Sequence, residues 1–337
     1  MKFLLEYRRW AAAAIVLGAM GMASVAQADE LPDWLQGPLK KPINQITIGV
    51  TQRFVGNSSY TSIYQDAFLA EAKALGVKVV YLDAQNDAMR QWAQVQDLMT
   101  EKVDVIVVWN VQAKLIVPSL RVAYKAHIPV LTANSRVDPS GEQYTVAFTG
   151  PDDYSQARLA AENLIKCMGG KGNVVGLEGN PGNGTSIARQ KGFLDAVKSH
   201  PAIKLLDDQP YDWDLAKAQN LMEAYITRFG GKIDGVFGAD DNGSMGALST
   251  IRAAVSQGKI KPHSIELTSA TLYNSGYEAI AQGDYCGAVM QSPIDDGKNA
   301  LKVAVQIAEG RPVPKTVTLN APFVGRDNYK EYPAPGF

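Results

Sequence analysis

The chain has 337 residues, enough for one large or two medium domains, each with a real core. A hydrophobic content of 46% excludes a disordered chain. The formal net charge of −1 offers no basic surface for nucleic acid.

Residues 1–28 read as a secretory signal. Lys2, Arg8 and Arg9 form a charged start, and WAAAAIVLGAMGM is a short run of apolar and small residues. That run is too short for a membrane span, which needs about 20 apolar residues. Ala26-Gln27-Ala28 supplies a small-x-small cleavage site, so the mature chain is expected to start at Asp29. Removing three cations and Glu6 takes a net +2 from −1 and leaves about −3. No cysteine follows the site, so a lipid anchor is not supported. Residues 29–44 (DELPDWLQGPLKKPIN) are rich in proline and charge and read as an extended leader on the surface.

From Ile46 the pattern alternates. Strand ITIGV is followed by a helix over 60–75, strand VKVVYL, a helix over 89–100 and strand VDVIVVW. A helix over 113–125, strand IPVLTA and the apolar stretch 144–148 lead to Gly150-Pro151. The strands are β-branched and almost continuously apolar, as when helices cover both faces of a parallel sheet. The rhythm then restarts with helices over 152–167, 186–199, 214–229, 242–257, 273–282 and 295–309. Between them lie strands at 174–178, 203–206, 233–238, 264–268 and 285–290. Two αβ units in succession predict an α/β fold of two doubly wound parallel sheets, with the ligand site in the cleft between their strand ends.

The stretch NVVGLEGNPGNGTSIARQKGFLDAV, residues 173–197, is the clearest unit. A buried strand enters a Gly/Asn/Pro turn, and Thr185 or Ser186 is then placed to cap a helix. Arg189 falls near the start of that helix, where a cation opposes the helix dipole.

Catalytic and cofactor motifs are lacking. Neither GxSxG nor HExxH occurs, and no lysine follows the glycines at 179–184 to make a phosphate loop. GxGxxG is absent, although Asp207 follows the glycine turn at a suggestive distance. His127, His200 and His263 each lie by a proline at an element end and read as turn or surface residues. Neither a cofactor nor a metal is expected. Export permits a disulfide between the two cysteines, Cys167 and Cys286. If their neighbouring strands share one parallel sheet, both thiols lie at its amino-terminal edge; the alternative is two separate buried thiols.

Taken together and in order, ITIGVTQ, LDAQNDAMRQWAQVQDLM, IPVLTANSR, GTSIARQKGF, QPYDWD, GVFGADDNGSMGAL and GAVMQSPID resemble the type I periplasmic solute-binding proteins. Within these the chain is similar to the ribose-binding branch that serves ABC importers. The resemblance covers residues 46 to about 323. It implies two lobes joined by three crossings, near Gly150, Ser292 and Asn320. One lobe would hold 45–149 plus 292–320, the other 150–291 plus 321–337.

The same resemblance marks the site. Arg189 matches an arginine that grips ligand oxygens, Trp213 an aromatic at the cleft, and Asp240 a polar contact able to pair with Arg189. Gln291 matches a glutamine at the hinge, and Asn134 stands where the ribose pattern has an aspartate, with Arg136 close by. Phe54, Asn57 and Tyr60 come from the first loop. That loop is longer than the ribose pattern and adds Arg53, and Ser269-Ala270 replace the family's aromatic–aspartate pair. These departures argue against ribose and leave another sugar, a polyol or a sugar acid.

The expected function is an exported receptor, not an enzyme, that closes on one small polar ligand and delivers it to an inner-membrane ABC permease. A second reading is a sensory accessory that presents its liganded form to a sensor kinase or chemoreceptor. A hydrolase using Asp240 and Asp241 is disfavoured, because adjacent residues on one loop rarely converge on one bond.

Overall fold

A computed structural model describes residues 32–35, 42–56 and 59–337. The signal segment, most of the leader and Asn57 lie outside the described residues. Within the leader, the Trp34 ring stacks on His127 at 5.2 Å, and Leu35 packs against the core of the first sheet.

The first half of the chain lays down β1 (Thr47–Gln52), α1 (Ser59–Leu75), β2 (Lys78–Asp83), α2 (Ala88–Thr100) and β3 (Val105–Trp109). It continues through α3 (Val117–Lys125), β4 (Val130–Ala133) and β5 (Ala147–Gly150). The chain then builds α4 (Asp153–Cys167), β6 (Gly172–Glu178), α5 (Gly184–Ser199), β7 (Ile203–Pro210) and α6 (Leu215–Phe229). After these come β8 (Gly235–Gly238), α7 (Asp241–Ser256), β9 (Glu266–Ser269), α8 (Asn274–Gln282) and β10 (Gly287–Val289). Last are α9 (Pro293–Ala308), β11 (Thr316–Thr318) and β12 (Phe323–Gly325).

Two six-stranded sheets result, in the orders β11-β5-β4-β3-β1-β2 and β12-β10-β9-β8-β6-β7. All pairs are parallel except β10 with β12. The chain passes between the sheets three times, after β5, after β10 and after β11. The long α9 returns to the first sheet, where Ala300, Leu301 and Ala304 join Ile48, Tyr64 and Phe68 in one core face. Val95, Leu98 and Leu120 cover the other face. Residues buried on both faces explain why β3 reads as an unbroken apolar run, VIVVW, all of it buried.

Helix starts gather at the carboxyl ends of the strands, and short polar side chains set them. Asp87 accepts from the Met89 and Arg90 N–H groups, Asp214 from Lys217 N–H, and Ser292 Oγ from Asp295 N–H. Three local expectations are corrected. Asn183, not Thr185 or Ser186, caps α5, its Oδ1 accepting from Ser186 N–H at 3.2 Å. The helix expected from 113 starts at Val117, with Pro118 in its first turn, because the Ala113 carbonyl accepts from Asp138 N–H at 3.0 Å and so does not take the Val117 N–H. Strand β7 runs on to Pro210 because, past a bulge, it keeps pairing with β6 to its end.

Cys167 and Cys286 form a disulfide, with Cα atoms 6.3 Å apart. The bridge ties the end of α4 to the residue before β10, at the edge of the second sheet away from the cleft.

Candidate functional site

A cavity of about 300 Å³ lies between the carboxyl ends of the two sheets. Eight residues expected at the site line it: Arg53, Phe54, Tyr60 and Asn134 from the first lobe, and Arg189, Trp213, Asp240 and Gln291 from the second.

The first-lobe wall hangs on the loop after β1. Gln52 Nε2 donates to the Phe54 and Thr61 carbonyls at 2.8 and 3.1 Å, and Thr61 Oγ1 donates to the Val55 carbonyl at 2.6 Å. These bonds fix the loop that presents Arg53 and Phe54. No hydrogen bond or ion pair to a described residue holds the Arg53 guanidinium. Burial pushes its pKa down to about 10, with Asp240 acting in the opposite direction, so it stays charged at neutral pH.

Asn134 stands at the end of β4 with φ +58°, a conformation that asparagine tolerates. Its Nδ2 donates to Asp296 Oδ2 at 2.7 Å, and Tyr60 Oη donates to the same oxygen at 3.0 Å. Asp296, in the first turn of α9, is fully buried, and burial lifts its carboxyl to about 7. Sequence reading misses this residue. An acidic residue in the first turn of a helix looks like ordinary dipole compensation, and only the fold carries it behind two cleft residues far away in the chain.

The second-lobe wall is more tightly built. Arg189 is 3% exposed. Its Nε donates to Asp153 Oδ1 at 2.9 Å and its Nη1 to the Ala239 carbonyl at 2.6 Å. Nη2 reaches Gln156 Oε1 at 3.5 Å and Gln291 Oε1 at 3.4 Å. A guanidinium has five N–H groups, so one on Nη1 is left for whatever fills the cavity. Its ion pair is with Asp153, not with Asp240 as the sequence reading allowed. Asp240 instead caps α7, accepting from Gly243 N–H at 3.0 Å and from the Tyr211 hydroxyl. Burial raises the carboxyls of both Asp153 and Asp240 against the pull of Arg189.

Trp213 follows Asp212, and both hold positive φ, 60° and 59°. That strained turn lays the indole over Gly179, where a Cβ would come within 2.0 Å of the ring. Gly179 is therefore the floor under Trp213. The Trp213 Nε1 is buried and has no acceptor among the described residues.

Arg136 does not join the site. Its guanidinium lies 4.1 Å over the Phe148 ring, and Nη2 is 3.4 Å from Thr316 Oγ1. Asn134 takes the turn into the cleft, and two residues later the side chain faces the β5–β11 edge. Its carbonyl points to the second lobe instead, where a Cβ on Gly184 would come within 2.0 Å of it. Nearby, Thr185 N–H donates to Ser135 Oγ at 3.1 Å. The two lobes therefore touch across the front of the cavity, in a closed arrangement.

Sequence reading also missed Trp109, Asn183, Thr271 and Tyr273 on the cavity wall. Trp109 carried a usable signal, an aromatic at the carboxyl end of a buried strand. Tyr273 carried none. Asp240 and Asp241 diverge. Asp241 faces inward, accepting from Tyr273 and Gly276 N–H at 3.0 and 3.1 Å, so the two carboxylates do not meet at one bond.

Two lobes with facing strand ends, closed on a small cavity of donors, acceptors and aromatic rings, define a ligand-enclosing protein. The chain belongs to the periplasmic binding protein domain family, whose model matches residues 48–312. It is similar to a xylitol-binding protein of Mycolicibacterium smegmatis, 29% identical over 281 residues covering 83% of this chain and 77% of that protein. It is similar also to the ribose import binding protein of Escherichia coli, 26% identical over 267 residues covering 79% of this chain and 86% of that one. Among solved structures, an ABC transporter solute-binding protein from Bacillus halodurans with bound myo-inositol superposes with a TM-score of 0.78. Its identity is 26%, with 86% of this chain and 98% of that chain covered.

Proposed function

We propose that this protein is an exported solute receptor that closes on one small, uncharged polyhydroxylated ligand, a sugar or polyol, and delivers it to an inner-membrane ABC permease. The observation that carries the reading is the cavity between the lobes, at the small end of the roughly 300–1,000 Å³ range of ligand pockets. Its wall alternates aromatic faces (Phe54, Trp109, Trp213) with fixed polar groups (Arg189, Asp240, Gln291). That alternation suits a molecule with C–H faces and hydroxyls that both donate and accept. The charges point to an uncharged ligand over a sugar acid. Asp153 answers Arg189 directly, and Asp240 lies in the field of Arg53. The relatives named for xylitol binding and ribose import, and the solved structure with bound myo-inositol, support the same class. Residues 1–28 would direct export, and intact-mass measurement of periplasmic protein should show a chain starting at Asp29.

The test is a thermal-shift screen of the mature protein against xylitol, D-ribose, D-arabinose, myo-inositol and a pentonic acid. A neutral compound at 100 times its Kd should add about 2.7 kcal/mol of apparent stability. A shift with the acid alone would overturn the uncharged assignment, and no shift with any compound would count against the receptor.

A further inference from the structure

The residues around 329–337 carry a feature that the binding reading does not use. After β12 the chain runs along α8, where Tyr277 Oη donates to the Tyr329 and Tyr332 carbonyls, both at 3.0 Å. It then reaches Asn274, at the start of α8. Gly336 N–H donates to Asn274 Oδ1 at 2.9 Å, and Asn274 N–H donates to the Phe337 carbonyl at 2.6 Å. This segment is thus fastened to the second lobe. Its Phe337 ring nevertheless packs with the core of the first lobe. The ring meets Tyr60 edge-on, centroids 6.1 Å apart at 82°, and meets Tyr273 at 5.5 Å and 58°.

Tyr60 and Tyr273 both line the cavity, one from each lobe. Phe337 does not line it. It stands behind the two tyrosines and touches both. We propose that Phe337 is a positioning residue and latch: carried by the second lobe, it clasps Tyr60 of the first lobe and holds both tyrosines in the cavity wall. Opening the cleft moves Tyr60 away from the segment tied at Asn274, so the ring contact belongs to the closed form. A contact present in only one of two forms shifts the population toward that form, with or without ligand. The segment would therefore keep part of the ligand-free protein closed.

The inference borrows its ligand from the receptor reading, but its first test needs none. Small-angle scattering of ligand-free protein should give a larger radius of gyration for Phe337→Ala than for the parent, and Phe337→Tyr should restore the parent value. Calorimetry with xylitol should then show about tenfold weaker binding for Phe337→Ala, the size expected from losing two aromatic contacts, and recovery in Phe337→Tyr. An effect on melting with no change in dimensions or affinity would mean a structural role only and would overturn the proposal. If Phe337→Ala does not fold, Phe337→Leu keeps an apolar side chain at the same place but removes the ring that meets Tyr60 and Tyr273. A larger radius there supports the latch, and parental dimensions reject it. Should xylitol fail to bind the parent, the choice of ligand is what fails, and the scattering result still decides the latch.

Discussion

Arg189 and Arg53 differ in what surrounds them, and that difference separates binding from folding. Arg189 and Asp153 are both in the second lobe and both at most 5% exposed, so their pair persists whether the cleft is open or closed. Arg189→Ala would leave Asp153 buried without its partner. The expected loss is about 3–5 kcal/mol of stability besides the loss of ligand. The variant therefore reports on folding as much as on binding. Arg53→Gln is the cleaner probe, since no described residue loses a hydrogen bond or ion pair. Its melting temperature should stay near the parent's while ligand affinity in calorimetry falls at least tenfold. Parental affinity would remove Arg53 from the site. Buried carboxyls give a second prediction at this scale. Burial lifts Asp241 to about 8 and Asp296 to about 7, both above their unfolded values. A raised acid binds its proton more tightly in the folded state, so its contribution is full below about pH 4 and is lost as pH rises through 7 to 8. Melting temperature should fall across that window. Asp241→Asn, which keeps one oxygen for the Tyr273 and Gly276 N–H groups, should fall less. Equal slopes for parent and variant would reject the assignment.

At the scale of elements, the second sheet is stapled where the first is not. The Cys167–Cys286 bridge spans 119 positions and joins α4 to β10. In the chain-entropy account such a loop contributes about 4–5 kcal/mol, commonly less in practice. Reductant, or Cys167→Ser with Cys286→Ser, should lower the melting temperature by several degrees and leave ligand affinity within about twofold, since the bridge lies at the far edge from the cleft. An unfolded protein without reductant should show no free thiol on labelling. The elements also explain why loops carry the site. Helices α5, α6 and α7 start at the strand ends under Asn183, Asp214 and Asp240. The caps that start the helices are thus themselves cavity residues.

For the whole molecule, function rests on how closely the lobes approach. Gly184 is a point of close approach, with the Arg136 carbonyl 2.0 Å from where a Cβ would be. Gly184→Ala adds one carbon at that contact and nothing inside either core. The variant should fold normally, keep a larger radius of gyration with ligand present, and bind at least tenfold more weakly. Normal closure in scattering with ligand would show that the lobes accommodate the carbon and that this contact does not limit closure.

How much of this was legible in the sequence follows from the range of the interactions involved. The alternation of strands and helices and the pairing of two αβ units come from periodicity, while the resemblance to the solute-binding family is what singled out Arg189, Trp213, Asp240 and Gln291 at the strand ends. Burial on both faces of a sheet imposes those patterns locally, residue by residue. The disulfide was readable as far as sheet edges could be inferred. Tertiary structure alone decided which charge met which: Asp153 took Arg189, Tyr211 took Asp240, and Asp296 came to lie behind Asn134 and Tyr60. It turned Arg136 to the β5–β11 edge and brought its carbonyl against Gly184. It also carried Phe337 from the second lobe to a tyrosine of the first. These contacts join residues far apart in the chain that become neighbours only once a sheet has formed or, for Arg136 with Gly184 and Phe337 with Tyr60, once the lobes have met, so no local pattern in the chain records them.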